Sequence, residues 1–169
     1  MALSTSNPTP AEVMYLMAKA TDELGTTLME SLFVPGQTVR IDARKHLGFP
    51  PMDILPDQAA KNMIDAISGI TATHHVISNP FISYDLAAKT KVKASAYKTA
   101  YHCIQQDDGE IHSATARGTW DMDLEEVNGW WMVRSFTVVR TVPLLKTELE
   151  LWNIAKARVA DGNGRSAMF

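Results

Sequence analysis

The sequence predicts an α+β domain in which a curved, mostly antiparallel sheet is closed on one side by helices. Three observations lead there. Helical periodicity dominates the first third of the chain, and strand-like alternation runs from Ile70 to Val142. That alternation breaks at Asp107-Asp108-Gly109 and Val127-Asn128-Gly129, both hairpin signals. A sheet bent strongly enough for helices to span its open side forms a cone, whose interior is a natural small-molecule pocket.

Taking the elements in order, Thr9-Pro10-Ala11-Glu12 combines a capping threonine, a proline suited to the first helical position and a capping-box glutamate. The helix it starts runs to about Leu24, with Val13, Met17, Ala20 and Leu24 as its apolar stripe, Met14, Ala18 and Thr21 widening it, and Asp22 at its edge. A second capping box at Thr27-Leu28-Met29-Glu30 begins a short helix, and Pro35-Gly36 turns the chain. Thr38 to Ala43 alternates, which puts Val39, Ile41 and Ala43 on the inner face of a strand. Lys45 to Leu55, carrying Gly48-Phe49-Pro50-Pro51, reads as an irregular loop bordering the cavity. Pro56-Asp57 opens a helix that Ser68-Gly69 closes. Strands are expected near Thr71–Tyr84, Lys91–Gln106, His112–Glu125 and Trp130–Val142, the last three as antiparallel neighbours. A final helix from Leu144 to Ala160 has Leu145, Leu149 and Trp152 on one side.

At 169 residues and 46% hydrophobic, the chain predicts a single domain spanning 1–169, with residues 1–8 flexible and 161–169 a loose tail. The formal net charge of −3 is spread over interleaved acids and bases, which argues against nucleic acid as a partner. Cys103 is the only cysteine, so disulfide and thiolate-metal frameworks are excluded and a reducing interior fits. The amino-terminal residues carry neither a basic start nor an apolar run, and no segment approaches the roughly 20 apolar residues of a membrane span. The expectation is a cytoplasmic protein without a membrane partner. No phosphate-binding glycine loop or strong metal motif is present, so no cofactor is expected.

The chemistry is expected at Thr73-His74-His75-Val76-Ile77-Ser78. Consecutive strand residues face opposite ways, so one of the two imidazoles looks inward and the other, taken to be His74, faces solvent or a subunit contact. His102 shares a face with Ala100 and Ile104 and is either a buried polar residue with one partner or a second acid or substrate donor. Asp22, His75 and His102 have the ligand types of a two-histidine, one-carboxylate metal site, but lack its local spacing signature. Of Trp120, Trp130, Trp131 and Trp152, Trp120 is the better pocket candidate, although strand aromatics are commonly core or interface. His46 and His112 have no evident partner and are expected to be exposed.

The order of helices, then Thr38-Val39-Arg40-Ile41-Asp42, a proline-bearing loop, Thr73-His74-His75, Ala100-Tyr101-His102 and Asn128-Gly129-Trp130-Trp131 resembles the SnoaL-like branch of the nuclear transport factor two-like superfamily. Within that branch the likeness is greatest to the scytalone dehydratases. The resemblance implies His75 as catalytic base, Asp22 as its partner and His102 as a second active-site histidine. Two tyrosines that polarise the substrate carbonyl in those enzymes fall on Thr21 and Ala43, and their serine and asparagine find no counterpart around Gly118-Thr119-Trp120. The implied function is a cofactor-independent lyase (dehydratase) or isomerase acting on a small apolar cyclic or polyketide-like metabolite by proton abstraction. The alternatives are a polyketide cyclase and a non-catalytic binding module of the same fold. Thr21, Val39, Ile41, Ala43, Ile77 and Trp120 are the expected substrate-binding wall, and a homo-oligomer is expected, a trimer before a dimer. Paired with Asp22, an inward His75 would have a fixed tautomer and raised basicity; the alternative is a hydrogen-bonded core histidine and a solvated helix acid.

Overall fold

The computed structural model describes residues 7–85 and 87–165. Residues 1–6 of the expected flexible start and 166–169 of the expected tail lie outside the described residues. Helix α1 (Pro10–Asp22) opens with the predicted capping box, Thr9 accepting from the Glu12 amide while Glu12 accepts from the Thr9 amide. Its stripe of Val13, Met14, Met17, Ala18, Ala20 and Thr21 is buried. Leu24, at φ 54°, ends it. Helix α2 (Thr26–Ser31) starts one residue before the expected capping box, from Gly25, with no side-chain cap.

Strand β1 (Val39–Asp42) stops one residue early, because Ala43 caps a single turn, α3 (Arg44–Leu47), inside the segment expected to be irregular. The same segment contains β2 (Met52–Ile54), which pairs antiparallel with β1. Periodicity could not reveal a three-residue edge strand between prolines. Helix α4 (Pro56–Asp65) follows, and then β3 (Ala72–Tyr84), β4 (Lys91–Gln105), β5 (Ile111–Val127) and β6 (Trp130–Arg140) form the predicted antiparallel meander. Asn128 and Gly129 both take positive φ, 52° and 81°, which gives the β5–β6 turn the twist a two-residue hairpin needs. The sheet order is β2-β1-β6-β5-β4-β3, with β1 parallel to β6. Helix α1 packs on β3 and α5 (Lys146–Ala160) on β4 and β5, so the sheet curls around a core of α1 methionines, Trp120, Met122, Leu124 and Phe136.

The last helix sits differently from its sequence reading. Leu145 and Leu149 are 61% and 48% exposed, while the buried face is Glu148, Leu151 and Ala155. A buried charge overrides the apolar count here. Arg140 at the end of β6 donates to both Glu148 carboxylate oxygens, at 2.9 and 2.6 Å, and Trp152 Nε1 donates to the same carboxylate at 3.5 Å. This pairing selects the helix face that meets the sheet. Gly69 adds to the fit, since a Cβ there would stand 2.0 Å from the Ala155 carbonyl oxygen. Beyond α5 the first part of the expected tail is tied down, the Arg165 amide donating to the Ser68 carbonyl at 2.6 Å. Among the described residues no helix is long and apolar enough to cross a membrane.

Glu148→Ala would leave the Arg140 guanidinium, 8% exposed, without its counter-charge. The expected loss is about 3–5 kcal/mol. It should be read as a lower urea midpoint at unchanged slope. A loss below about 1 kcal/mol would mean that α5 is held by its apolar contacts instead.

Candidate active site

Helix α1 ends on Asp22 at the point where it crosses β3, the free edge of the sheet. Its carboxylate accepts from the Thr73 hydroxyl (2.8 Å) and the His75 amide (2.8 Å), and it meets His75 Nδ1 at 2.7 Å. An ionised carboxylate can only accept, so Nδ1 carries the proton and Nε2 keeps the free lone pair. Burial works against the Asp22 charge, but the hydrogen bonds from the His75 ring and backbone outweigh it and hold the carboxyl below its usual range. Strand parity is as expected: His74 is exposed and the His75 side chain is 5% exposed.

On the other side of His75 lies a cavity of about 360 Å³. His75, His102, Lys98 and Trp120 line it from the sheet, Thr21 from α1, Ile41 and Ala43 from β1 and its end, and Trp152 from α5. An outer hollow of about 530 Å³ shares His46, Leu47, Phe49, Ala66 and Trp152 with it, forming a mouth between α3, α4 and α5. The rings make a continuous chain. His75 is 5.7 Å from His102, edge to face, and 5.5 Å from Trp120, while His102 is 5.2 Å from Trp152 and Trp120 is 5.2 Å from Phe136. Small inward residues Ala100 and Ala116 leave room beside these side chains. At Gly118 the fit is strict, since a Cβ would lie 1.8 Å from the Val139 carbonyl oxygen.

Electrostatically the histidines form one group. Burial pushes His102 down to about 3, helped by His75, Lys98 and His46 and opposed by Asp22. His46 also falls to about 3, through burial and then the charges of Lys98 and Arg140. His75 moves down as well, because desolvation and Lys98 outweigh the bond to Asp22. Asp22 acts to raise the basicity of His75, as expected, but burial and Lys98 outweigh it and the net shift is downward. His75 is therefore a neutral base at pH 7. Lys98 is lowered to about 8 by burial and by Arg140, with Glu148 acting in the other direction.

Of the residues singled out in the sequence, Asp22, His75, His102 and Trp120 converge, and Thr21, Ile41 and Ala43 line the cavity. The Thr21 hydroxyl, however, donates to the Met17 carbonyl within its own helix at 2.8 Å. Val39 is not in the wall: it is fully buried in the core, two residues further from the open end than Ile41. Ile77 borders a separate outer groove with Tyr15, Lys19 and Asp22, because β3 curves away from the cavity there. His46 is the opposite case, expected to be exposed and found in the wall, since α3 folds the proline loop over the cone. His112 does have partners, Gln106 and Glu110. Lys98 went unnoticed in the sequence, although the alternation that turns His102 inward turns Lys98, four residues earlier on β4, the same way. Among the described residues no group of three or more His, Cys, Asp or Glu side chains is arranged to hold a metal ion.

A curved sheet closed by helices, with an Asp22-bonded histidine on the wall of its cavity, is the setting in which the comparisons fall. The SnoaL-like domain model matches residues 11–137, and the chain belongs to that family. Among functionally curated proteins no sequence matches. Solved structures share the fold. The Kfla4162 protein of Kribbella flavida superposes with a TM-score of 0.71 at 18% identity, covering 86% of this chain and 93% of its own. A protein of Novosphingobium aromaticivorans provisionally named a scytalone dehydratase gives 0.62 at 18% identity, over 78% and 81%. A type 2 hexachlorocyclohexane dehydrochlorinase gives 0.60 at 12% identity, over 80% and 86%.

The buried histidines set a pH dependence of stability. His46 and His102 stay neutral in the folded protein down to about 3, whereas in the unfolded chain they take up protons near 6.5. Their contribution is thus fully present above 6.5 and is lost as pH falls from there towards 3. Each costs up to about 1.4 kcal/mol per pH unit in that window. The melting temperature should fall between about pH 7 and pH 5, and His102→Gln should flatten the fall. A melting temperature that does not move over this range would mean that both rings are solvated.

Proposed function

We propose that the cavity is the active site of a cofactor-independent lyase or isomerase that removes a proton from carbon in a small apolar, cyclic or polyketide-like metabolite. The observation that carries this reading is the 2.7 Å contact between Asp22 and His75 Nδ1, which leaves Nε2 as the basic nitrogen of a ring lining a largely apolar cavity. A neutral imidazole takes the proton, and the Asp22 carboxylate balances the imidazolium that results. His102 is neutral, so it serves as a hydrogen-bond donor or proton relay to substrate oxygen and not as a standing cation. The apolar walls exclude water and strengthen these few polar contacts. A part-buried carboxylate that fixes one tautomer of a cavity histidine supports catalysis over a non-catalytic binding module of the same fold.

His75→Ala removes the base. Asp22→Asn allows the amide to donate to Nδ1, which moves the ring proton to Nε2 and blocks it as an acceptor. Each variant should lower turnover by about 10² to 10⁴. The substrate to use is a metabolite retained by the purified protein and identified by mass spectrometry. Wild-type kcat/KM should rise with pH along a limb whose midpoint lies below 6.5, because the base must be neutral and His75 is lowered from its ordinary value. The groups that set this limb are Asp22 on α1, Lys98 and His102 on β4 and His74 beside it. Near wild-type turnover in either variant would remove the pair from the mechanism.

We also infer a homo-oligomer, trimeric before dimeric, because the outer sheet face carries Val76, Phe81, Tyr97 and Tyr101 at 46%, 69%, 60% and 42% exposure. Such a patch on an edge strand and its neighbour favours association. Sedimentation equilibrium at micromolar concentration should give a mass above the 18.7 kDa of one chain. A monomer would overturn it.

A further inference from the structure

Lys98 is the one lysine or arginine among the residues lining the cavity, and it is 4% exposed. Among the described residues no hydrogen bond or ion pair engages its ammonium. Glu148 attracts it, but both oxygens of that carboxylate are bound to Arg140. Asp65, the one carboxylate on the cavity wall, pairs with Lys61. A buried cation without a counter-charge is costly to a fold, and such a group is retained where a ligand supplies the missing charge.

Its placement is specific. Across the β3–β4 ladder His75 faces Ala100, and Lys98 and His102 lie two residues to either side of Ala100 on the same inner face. Diagonal neighbours of this kind are about 7–8 Å apart, so a small molecule fits between His75 and Lys98 with Trp120 beside it. On the β5 side Lys98 faces Gly118, where the Val139 backbone takes the place a side chain would need.

We propose that Lys98 is the electrophilic catalytic residue of this site, its ammonium binding the carbonyl oxygen of an enolisable ketone, aldehyde or ester and stabilising the enolate formed when His75 removes the adjacent proton. This rests on the acid–base reading of His75. The step balances within the substrate and the protein. His75 Nε2 forms the new N–H bond as the C–H bond breaks, the C–H pair becomes the C=C bond, and the carbonyl π pair moves onto oxygen beside Lys98. If a hydroxyl lies β to the carbonyl, the enolate expels it, the His75 imidazolium returns its proton to it, and water leaves. Lys98 ionises at about 8 while His75, His102 and His46 stay neutral, so it supplies the positive charge facing the cavity at pH 7.

The test reads binding, so it stands apart from turnover. The probes are 4-nitrophenolate, which presents an aromatic oxyanion as an enolate does, and nitrobenzene, which is neutral and of similar shape. Trp120 and Trp152 line the cavity and report occupancy by fluorescence quenching. Wild type should bind the phenolate about tenfold or more tightly than nitrobenzene, as expected for a hydrogen bond between charged groups in a buried site. Bound 4-nitrophenol should also ionise at a lower pH than free. Lys98→Met should abolish the preference while leaving nitrobenzene affinity unchanged, and His75→Ala should retain it. Absence of the preference in wild type overturns the proposal without any variant, and so does its survival in Lys98→Met. Failure of the acid–base reading would appear instead as a fully active His75→Ala that still prefers the phenolate.

Discussion

The structure depends on the three contacts that one carboxylate makes across the open edge of the sheet. Strand β3 pairs only with β4, so alternate backbone N–H groups on its free side have no sheet partner. Asp22 takes the amide of His75, the hydroxyl of Thr73 and the ring of His75. The same bonds protect the edge, fix where α1 crosses the sheet and set the tautomer of His75. Their hydrogen-bond stabilisation exceeds the cost of burying the charge, and Asp22 remains ionised. In the proposed mechanism, a structural need and a catalytic one are met by the same atoms.

From that anchor the rest of the cone can be understood as a way of keeping charge in balance under burial. Helix α5 closes the far side through Arg140 and Glu148, a pair whose side chains are 8% and 2% exposed. The histidines between the two anchors give up their charge instead, as burial drives His46 and His102 down to about 3. Among the described residues lining the cavity, Lys98 keeps a charge without a fixed partner, and its field is one reason all three cavity histidines are lowered. A neutral base next to a persistent cation is the arrangement proton abstraction beside a carbonyl calls for: the base must start uncharged, and the electrons must have somewhere to go.

Much of this was legible in the sequence wherever one rule decided the outcome. The capping box at Thr9, the positive-φ turn at Asn128-Gly129 and the parity of His74 and His75 are local, and local chemistry settles them. What was not legible required knowing what lies across a gap. Strand β2 exists only because β1 offers an edge, and His46 is in the wall only because α3 folds inward. Leu145 and Leu149 counted as apolar, yet the face of α5 was chosen by Glu148, which no hydrophobic pattern marks as a core residue. Val39 and Ile41 are alike in the sequence, and only the taper of the cone separates core from wall. Lys98 is the instructive case. Its parity was readable, but a lysine on a strand is normally assigned to solvent, and that habit hid it.

The two hydroxyl positions expected from the scytalone dehydratase likeness are of little use to a substrate here. Ala43 has no polar atom, and the Thr21 hydroxyl hydrogen is directed to the Met17 carbonyl. Any substrate oxygen must therefore find its donors elsewhere on the wall, and the buried polar side chains beside His75 are Lys98 and His102, both on β4. Moving the polarising groups from α1 and β1 to β4 changes the approach of the substrate as well as its partner. On the proposed reading the carbonyl faces β4 instead of the first helix, and Ala43 shares the cavity wall with Phe49 and Met52. A ligand activated by a cation on β4 can thus carry additional apolar bulk on the side facing the helices, where the wall is aliphatic and aromatic and asks for no further polar contact.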